Sequence, residues 1–320
     1  MIETTTFLDW ERQLQSLQEQ YNISIQKKDT ALRTLKKYSF HNLIDKYQDS
    51  LRKGPDTETF IDGISIETLG VIQMLENRLA SEILQAILSI EKNMKSVFQY
   101  ELAQQFGTLE SNYLSNVIYS KRGQLTKQVL HTLHHKNQQS KNVSKTLLAY
   151  RLSGNVPPWI LIENISFGQF NCWFQISPTN IREKVMTDFF IPASINEETL
   201  IAFQNTIDYL IDFRNGLAHG EAIVQIHSKA PLTLSYIRSF YEEEVITDEE
   251  FNEGYGQQDF FGLLLVIGIL LKQSERQIFK DQLINLLNIF DSLLPINEGP
   301  MRHILGQIPI NIQQRVKKII

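Results

Sequence analysis

Arg214, Asn215 and His219 place a guanidinium, a carboxamide and an imidazole within six residues. A guanidinium grips phosphate oxygens, an imidazole moves protons near neutral pH, and a carboxamide orients either one. These are the groups that hold and cleave an RNA phosphodiester without a metal, which makes Arg214, Asn215 and His219 the candidate catalytic residues. Spacing alone decides little. With 12 Arg and 7 His in 320 residues, an Arg five positions before a His is expected by chance in about a quarter of such chains. The contiguous Arg-Asn-x-x-Ala-His at a helix end is more specific. A structural alternative stands beside it: an Arg that ties helices together, and a His favoured by the dipole of a last helical turn.

The helix that carries these residues is read from its apolar period. Leu200, Phe203, Ile207, Leu210 and Leu217 recur at helical spacing from about Glu197 onward, and Arg214 falls in that register. A buried Arg requires a partner. Asn215 and His219 are four apart and share a face. Arg214 and His219 are five apart, about 140° around an ideal helix. For both to reach one phosphate, the helix must loosen or end between them, or two chains must build the site. Gly216 weakens the last turn and Gly220 supplies a stop.

Before that helix the chain reads as a series of helices. Residues 7–50 give two, the second marked by Ala31, Leu32, Leu35, Tyr38, Leu43 and Tyr47. Ser65 is a candidate N-cap for a long helix over about Ile66–Phe106, whose Leu69, Ile72, Leu75, Leu79, Ile83, Ala86, Ile90, Met94 and Val97 keep three-and-four spacing. Glu91 lies beside that stripe, four before Lys95. Pro157 and Pro158 precede a helix from near Trp159 with Leu161, Ile162, Ile165 and Phe170 inward, and Gly168 permits close helix approach. Another helix covers Asn180–Phe190, and Pro192 breaks the chain. After Gly220, the stretches from Ile223 and Leu232 read as short extended pieces, Glu242–Glu250 as an acidic linker, and Phe260–Leu271, Ile278–Leu294 and Ile312–Ile320 as helices. The expected fold is all-α. No internal repeat, phosphate-binding glycine loop, dinucleotide fingerprint or nucleophile elbow occurs.

Composition bounds the rest. At 42% hydrophobic and 21% charged the chain resembles an ordinary globular protein. One cysteine, Cys172, excludes an intrachain disulfide and a multi-cysteine zinc site, and a reducing cytoplasm is the expected compartment. Met1-Ile-Glu-Thr-Thr-Thr lacks the basic start and apolar core of a cleavable leader. The longest apolar run, Phe260–Leu271, is too short for a bilayer, so no membrane partner is expected.

A net charge of −5 argues against binding nucleic acid over the whole surface but not against a local patch. Between Glu110 and Glu163 there is no acidic residue, while Lys121, Arg122, Lys127, Lys136, Lys141, Lys145 and Arg151 all occur. Lys121, Arg122, Lys127, Lys136, Lys141 and Lys145 are the candidate RNA-binding residues. The alternative is a solvated loop with helical edges. His131 and His135 have the spacing of a metal pair without a suitable third ligand nearby, so no metal and no cofactor are expected.

Arg214-Asn-Gly-Leu-Ala-His219 resembles the Arg-x4–6-His motif of the HEPN superfamily of helical bundles. Pro157-Pro-Trp-Ile-Leu-Ile-Glu-Asn-Ile-Ser-Phe-Gly168 is similar to a stretch of the Abi-like phage abortive-infection proteins of the AbiD/AbiF type. Phe60-Ile-Asp-Gly-Ile-Ser, the Ala86–Glu91 helix and Leu305-Gly-Gln-Ile-Pro resemble other segments of that family, in its order, over roughly residues 15–310. Two departures stand out. Asn77-Arg78-Leu79-Ala80-Ser81 replaces an Asp-Arg-x-Leu-Arg run, and Gly220-Glu-Ala-Ile replaces a second His with its following string.

The resemblance implies a HEPN-like bundle over residues 61–225 with a basic insertion near 120–150, an N-terminal helical arm over 1–60 and a C-terminal helical region over 226–320. It implies a homodimeric, metal-independent endoribonuclease of the abortive-infection or toxin type that leaves a cyclic phosphate and a free 5′-hydroxyl. A structured small RNA that acts as antitoxin is a second RNA partner it allows. Two other classes stay open: a non-catalytic module that holds a small RNA, and a helical protein-interaction module.

Overall fold

The first helices of the chain are short because caps interrupt them. In the computed structural model, which describes residues 7–119, 123–192, 194–294 and 301–320, α1 (Trp10–Glu19) starts on the Asp9 side chain and buries Leu14 and Leu17. Next come α2 (Lys28–Tyr38), α3 (Phe40–Ile44) and α4 (Gln48–Leu51). One helix is expected where these three occur. Ser39 breaks it: its backbone turns to φ 64° and its hydroxyl accepts from Asn42 N–H, so the side chain takes the place of a helical backbone bond.

The axis of the fold is α5 (Ile66–Phe106), 41 residues and about 60 Å long. Ser65 caps it, its Oγ accepting from Thr68 N–H at 3.0 Å. Gly107 ends it at φ 78°. The apolar stripe is buried from Ile66 to Leu102, with Phe98 rather than Val97 in the core after Met94. Around it follow α6 (Glu110–Tyr113), α7 (Gly123–Gln138), α8 (Lys145–Leu152), α9 (Pro158–Glu163), α10 (Phe167–Ile176), α11 (Thr179–Phe189) and α12 (Glu197–His219). Of these, α6, α9, α10, α11 and α12 pack directly on α5, as does α2.

The stretch after the two prolines divides into α9 and α10. Ser166 starts a new helix with a reciprocal capping box to Gln169, which ends α9 at Glu163. Gly168 meets no neighbouring helix: a Cβ there would come only within 4.0 Å of Ser166.

Past α12, a 3-10 turn (Ile223–Gln225) and α13 (Leu234–Arg238) stand where extended pieces are expected. Thr233 caps α13, a local signal that starts a helix there. The acidic stretch is a packed segment and not a linker. Val245 and Ile246 are buried, and Thr247 with Glu250 forms a capping box that opens α14 (Asp248–Asn252). Arg315 holds the Glu250 carboxylate with both guanidinium nitrogens at 2.6 Å. Then α15 (Phe260–Leu270) is buried on all sides, followed by α16 (Gln273–Asp291), α17 (Arg302–Leu305) and α18 (Ile312–Ile319).

Among the described residues there is no sheet, only isolated bridges of Ser24 with Ser65 and Arg52 with Phe60. The protein is all-α. Among those residues no helix is long and apolar enough to cross a membrane.

Candidate active site

Three anchors fix the helix that ends in the Arg-His motif. At its start, Asn196 caps the Thr199 N–H at 2.8 Å, and the buried Arg182 reaches Glu197 Oε2 at 3.4 Å. Midway, Tyr209 donates to the Asp259 carbonyl at 2.6 Å and stacks on Phe213 with centroids 5.5 Å apart. At its end, Gly220 adopts the left-handed conformation at φ 77°, and Glu221 N–H bonds the Gly216 carbonyl at 3.0 Å. That is a glycine C-cap, so His219 is the last helical residue.

Of the two alternatives for bringing Arg214 and His219 to one phosphate, a loosened helix does not occur. The helix continues to His219, and the two residues keep their angular separation of about 140°. Gly216 serves packing: a Cβ there would lie 2.8 Å from two Ile226 side-chain carbons. Nor is Arg214 on the buried stripe. Phe213, Gly216 and Leu217 take the inward positions, and the Arg214 side chain is 34% exposed at the stripe's flank.

Its partner comes from α5. Glu91 Oε2 lies 3.8 Å from Arg214 Nε, and Glu91 Oε1 lies 2.7 Å from Lys95 Nζ. Glu91 is 8% exposed, and its Oε2 is buried without a hydrogen-bond donor. A carboxylate in that position needs cations around it, and Arg214 and Lys95 supply them. Lys95 also donates to the Ile165 carbonyl at 2.8 Å. Sequence reading pairs Glu91 with Lys95 but misses its role toward Arg214. The available signal was the acid itself, set among apolar positions of a helix that is buried along one face.

The motif residues are not all drawn together. Arg214 Nη1 donates to Asn215 Oδ1 at 3.3 Å, so in this chain the carboxamide meets the guanidinium rather than the imidazole. Asn215 and His219 are exposed and follow Asp208 and Asp212 on the outer face of α12. Burial, then the neighbouring Asp212, pushes the Asp208 carboxyl above its ordinary value, while Asn171 donates to it at 2.6 Å. Asp212 accepts from Lys229 N–H at 2.8 Å.

The segment leaving the motif is held by a second buried acid. Glu76, 1% exposed, accepts from Ile223 N–H at 2.7 Å and from Tyr47 at 2.6 Å, and pairs with Lys46 at 2.9 Å. Burial first, and then the Glu76 charge, pushes the Tyr47 phenol far above its ordinary value, so it stays a donor.

Among the described residues, most of the basic segment is helical, with a loop over residues 139–144 joining α7 to α8. Lys127 is exposed on α7, Lys141 lies exposed between α7 and α8, and Lys145 is exposed at the start of α8. Lys136 donates to the Asn142 carbonyl at 2.9 Å, and Arg151 closes the end of α7 through the carbonyls of Asn137, Lys136 and Ser140. Lys121 and Arg122 lie outside the described residues. His134 pairs with Glu110 at 2.9 Å, and among the described residues no group of three or more His, Cys, Asp or Glu is placed around a common metal position.

The family described as Abi-like protein matches residues 33–225, from α2 to just past the motif. No curated protein and no solved structure gives a significant match to the chain.

Proposed function

The chain belongs to the Abi-like protein family, and from that premise we propose that it is an abortive-infection effector that cleaves RNA without a metal, as a homodimer. The observation that carries this reading is the placement of Arg214. A cation supported from below by a buried carboxylate on α5, yet a third exposed beside Asn215, is poised to meet an anion from outside.

The proposed chemistry follows from those groups. Arg214 binds the phosphate oxygens and stabilises the charge that develops on them. A neutral His219 takes the ribose 2′-hydroxyl proton, and a protonated His219 of a second copy gives one to the leaving 5′-oxygen. The helical register supports the second copy, because one helix directs Arg214 and His219 to different sides.

His219→Ala tests the reading. It should abolish cleavage and cellular toxicity, by about 10²-fold or more, while the helical circular dichroism stays unchanged. Full toxicity in a folded variant overturns it.

A second reading draws on the exposed Lys127, Lys141 and Lys145, which suit the backbone of a structured small RNA that regulates the protein. Charge reversal at these three should weaken binding of such an RNA and flatten its salt dependence.

A further inference from the structure

A groove of ≈ 530 Å³ runs between α5 and α9, with Glu91, Lys92 and Lys95 on one wall and Ile162 and Glu163 on the other. Its size is that of a ligand cleft. One wall residue, Glu91, is also the support of Arg214, so the groove opens beside the motif. Its charges are unequal. Glu91 is taken up by Lys95 and Arg214, whereas Lys92 is exposed, and among the described residues no carboxylate stands within ion-pair distance of it. Glu163 is the one exposed acid of the opposite wall.

Large apolar side chains are exposed on both helices. Trp159 sits one turn before Ile162 and Glu163 and therefore on the same face of α9. It is 38% exposed, and Leu88, 49% exposed, lies one turn before Lys92 on the facing wall. From Lys95 a chain of hydrogen bonds leads to the basic segment. Lys95 holds the Ile165 carbonyl, and the neighbouring Asn164 accepts from Ser144 N–H at 2.7 Å, which fixes the start of α8 with Lys145 exposed beside it.

We propose that this groove is a binding site for an unpaired RNA strand, with a backbone phosphate on Lys92 and a base stacked on Trp159, running from Arg214 toward Lys145. The proposal rests on the reading above in taking RNA as the ligand, and it does not require cleavage. A free cation on one helix and an exposed indole on the facing helix suit a single strand, whose base faces are free. The bases of a duplex are occupied by their neighbours, so an indole gains nothing from them.

The test is fluorescence anisotropy of the full chain carrying His219→Ala, titrated into a labelled unstructured RNA oligonucleotide and into a duplex of equal length. Adding Trp159→Ala or Lys92→Glu should each lower affinity for the single strand about tenfold. Lys92→Glu should also reduce the salt slope by about 0.7, and Trp159→Phe, which keeps a flat ring, should retain most of the affinity. Duplex binding should change less than about twofold in every variant. Single-strand affinity that stays within about twofold in both Trp159→Ala and Lys92→Glu overturns the site. So does a Trp159→Phe loss equal to that of Trp159→Ala, which marks a packing role, or an absence of RNA binding in the parent. Cleavage retained by the His219→Ala parent strikes the nuclease reading alone and leaves the site standing.

Discussion

Glu91 Oε2 stands 3.8 Å from Arg214 Nε, and the other oxygen of the same carboxylate stands 2.7 Å from Lys95 Nζ. One buried acid on the central helix thus orients the cation of the motif and is itself neutralised from the opposite side. Truncating it acts on the motif and on the core at once. The two effects are separable, because Lys95 keeps the Ile165 carbonyl as an acceptor.

Glu91→Gln preserves volume and an acceptor for Lys95 but gives up the charge facing Arg214. Cleavage should fall about 10- to 100-fold as the guanidinium loses its orientation. Unfolding free energy should fall by only about 1–3 kcal/mol, since the Arg214 head is partly solvated. Single-turnover cleavage and urea denaturation on one preparation read both quantities. A stability loss with unchanged cleavage would reduce Glu91 to a packing residue.

Gly216→Ala places a methyl 2.8 Å from Ile226 Cδ1 and Cγ1 and 3.1 Å from its Cγ2. The collision should cost about 1–3 kcal/mol despite the better helix propensity of Ala. Ile226→Ala in the same chain should recover part of that loss, giving a favourable coupling in a double-mutant cycle. Strictly additive effects would show that the two residues do not meet.

Asp259 caps α15 from a buried site, where desolvation pushes its carboxyl up to about 6 while the N–H groups of Gly262 and Gly256 pull the other way. The folded chain therefore holds this proton more tightly than the unfolded chain, whose value is near 3.8. The stabilising contribution is complete below the unfolded value and is lost as pH rises through about 6. From this group alone, unfolding free energy should drop by about 3 kcal/mol across that window. Asp259→Asn, still a competent cap, should flatten that component in denaturant titrations across pH. A difference between the two proteins that does not vary with pH contradicts the assignment.

Much of this was legible in the sequence, for reasons that differ by residue. The bounds of α5 follow from Ser65 at one end, Gly107 at the other and an unbroken apolar period between, so local signals agree with the fold. The end of the motif helix was readable from Gly220 for the same reason. The break at Ser39 and the restart at Ser166 each depend on whether one serine caps a helix or sits within it, and packing decides that. Gly216 and Arg214 were misplaced because their environments come from elsewhere: Ile226 lies ten residues on, and Glu91 is on another helix. Glu76 holds the exit of the motif through Ile223, a contact 147 positions apart that no periodicity signals.

The composite nature of the site is the central claim, since the helix carries Arg214 and His219 to different sides and both imidazoles of a dimer are given work. The direct measurement is subunit mixing: wild-type protein is exchanged with an equal amount of the His219→Ala chain, and RNA cleavage is followed in the presence of a chelator. If two copies of His219 serve one phosphate, only dimers with two wild-type chains cleave, and activity should settle at about one quarter of that of an all-wild-type sample. Activity of about one half, with each wild-type chain acting alone, would contradict the account.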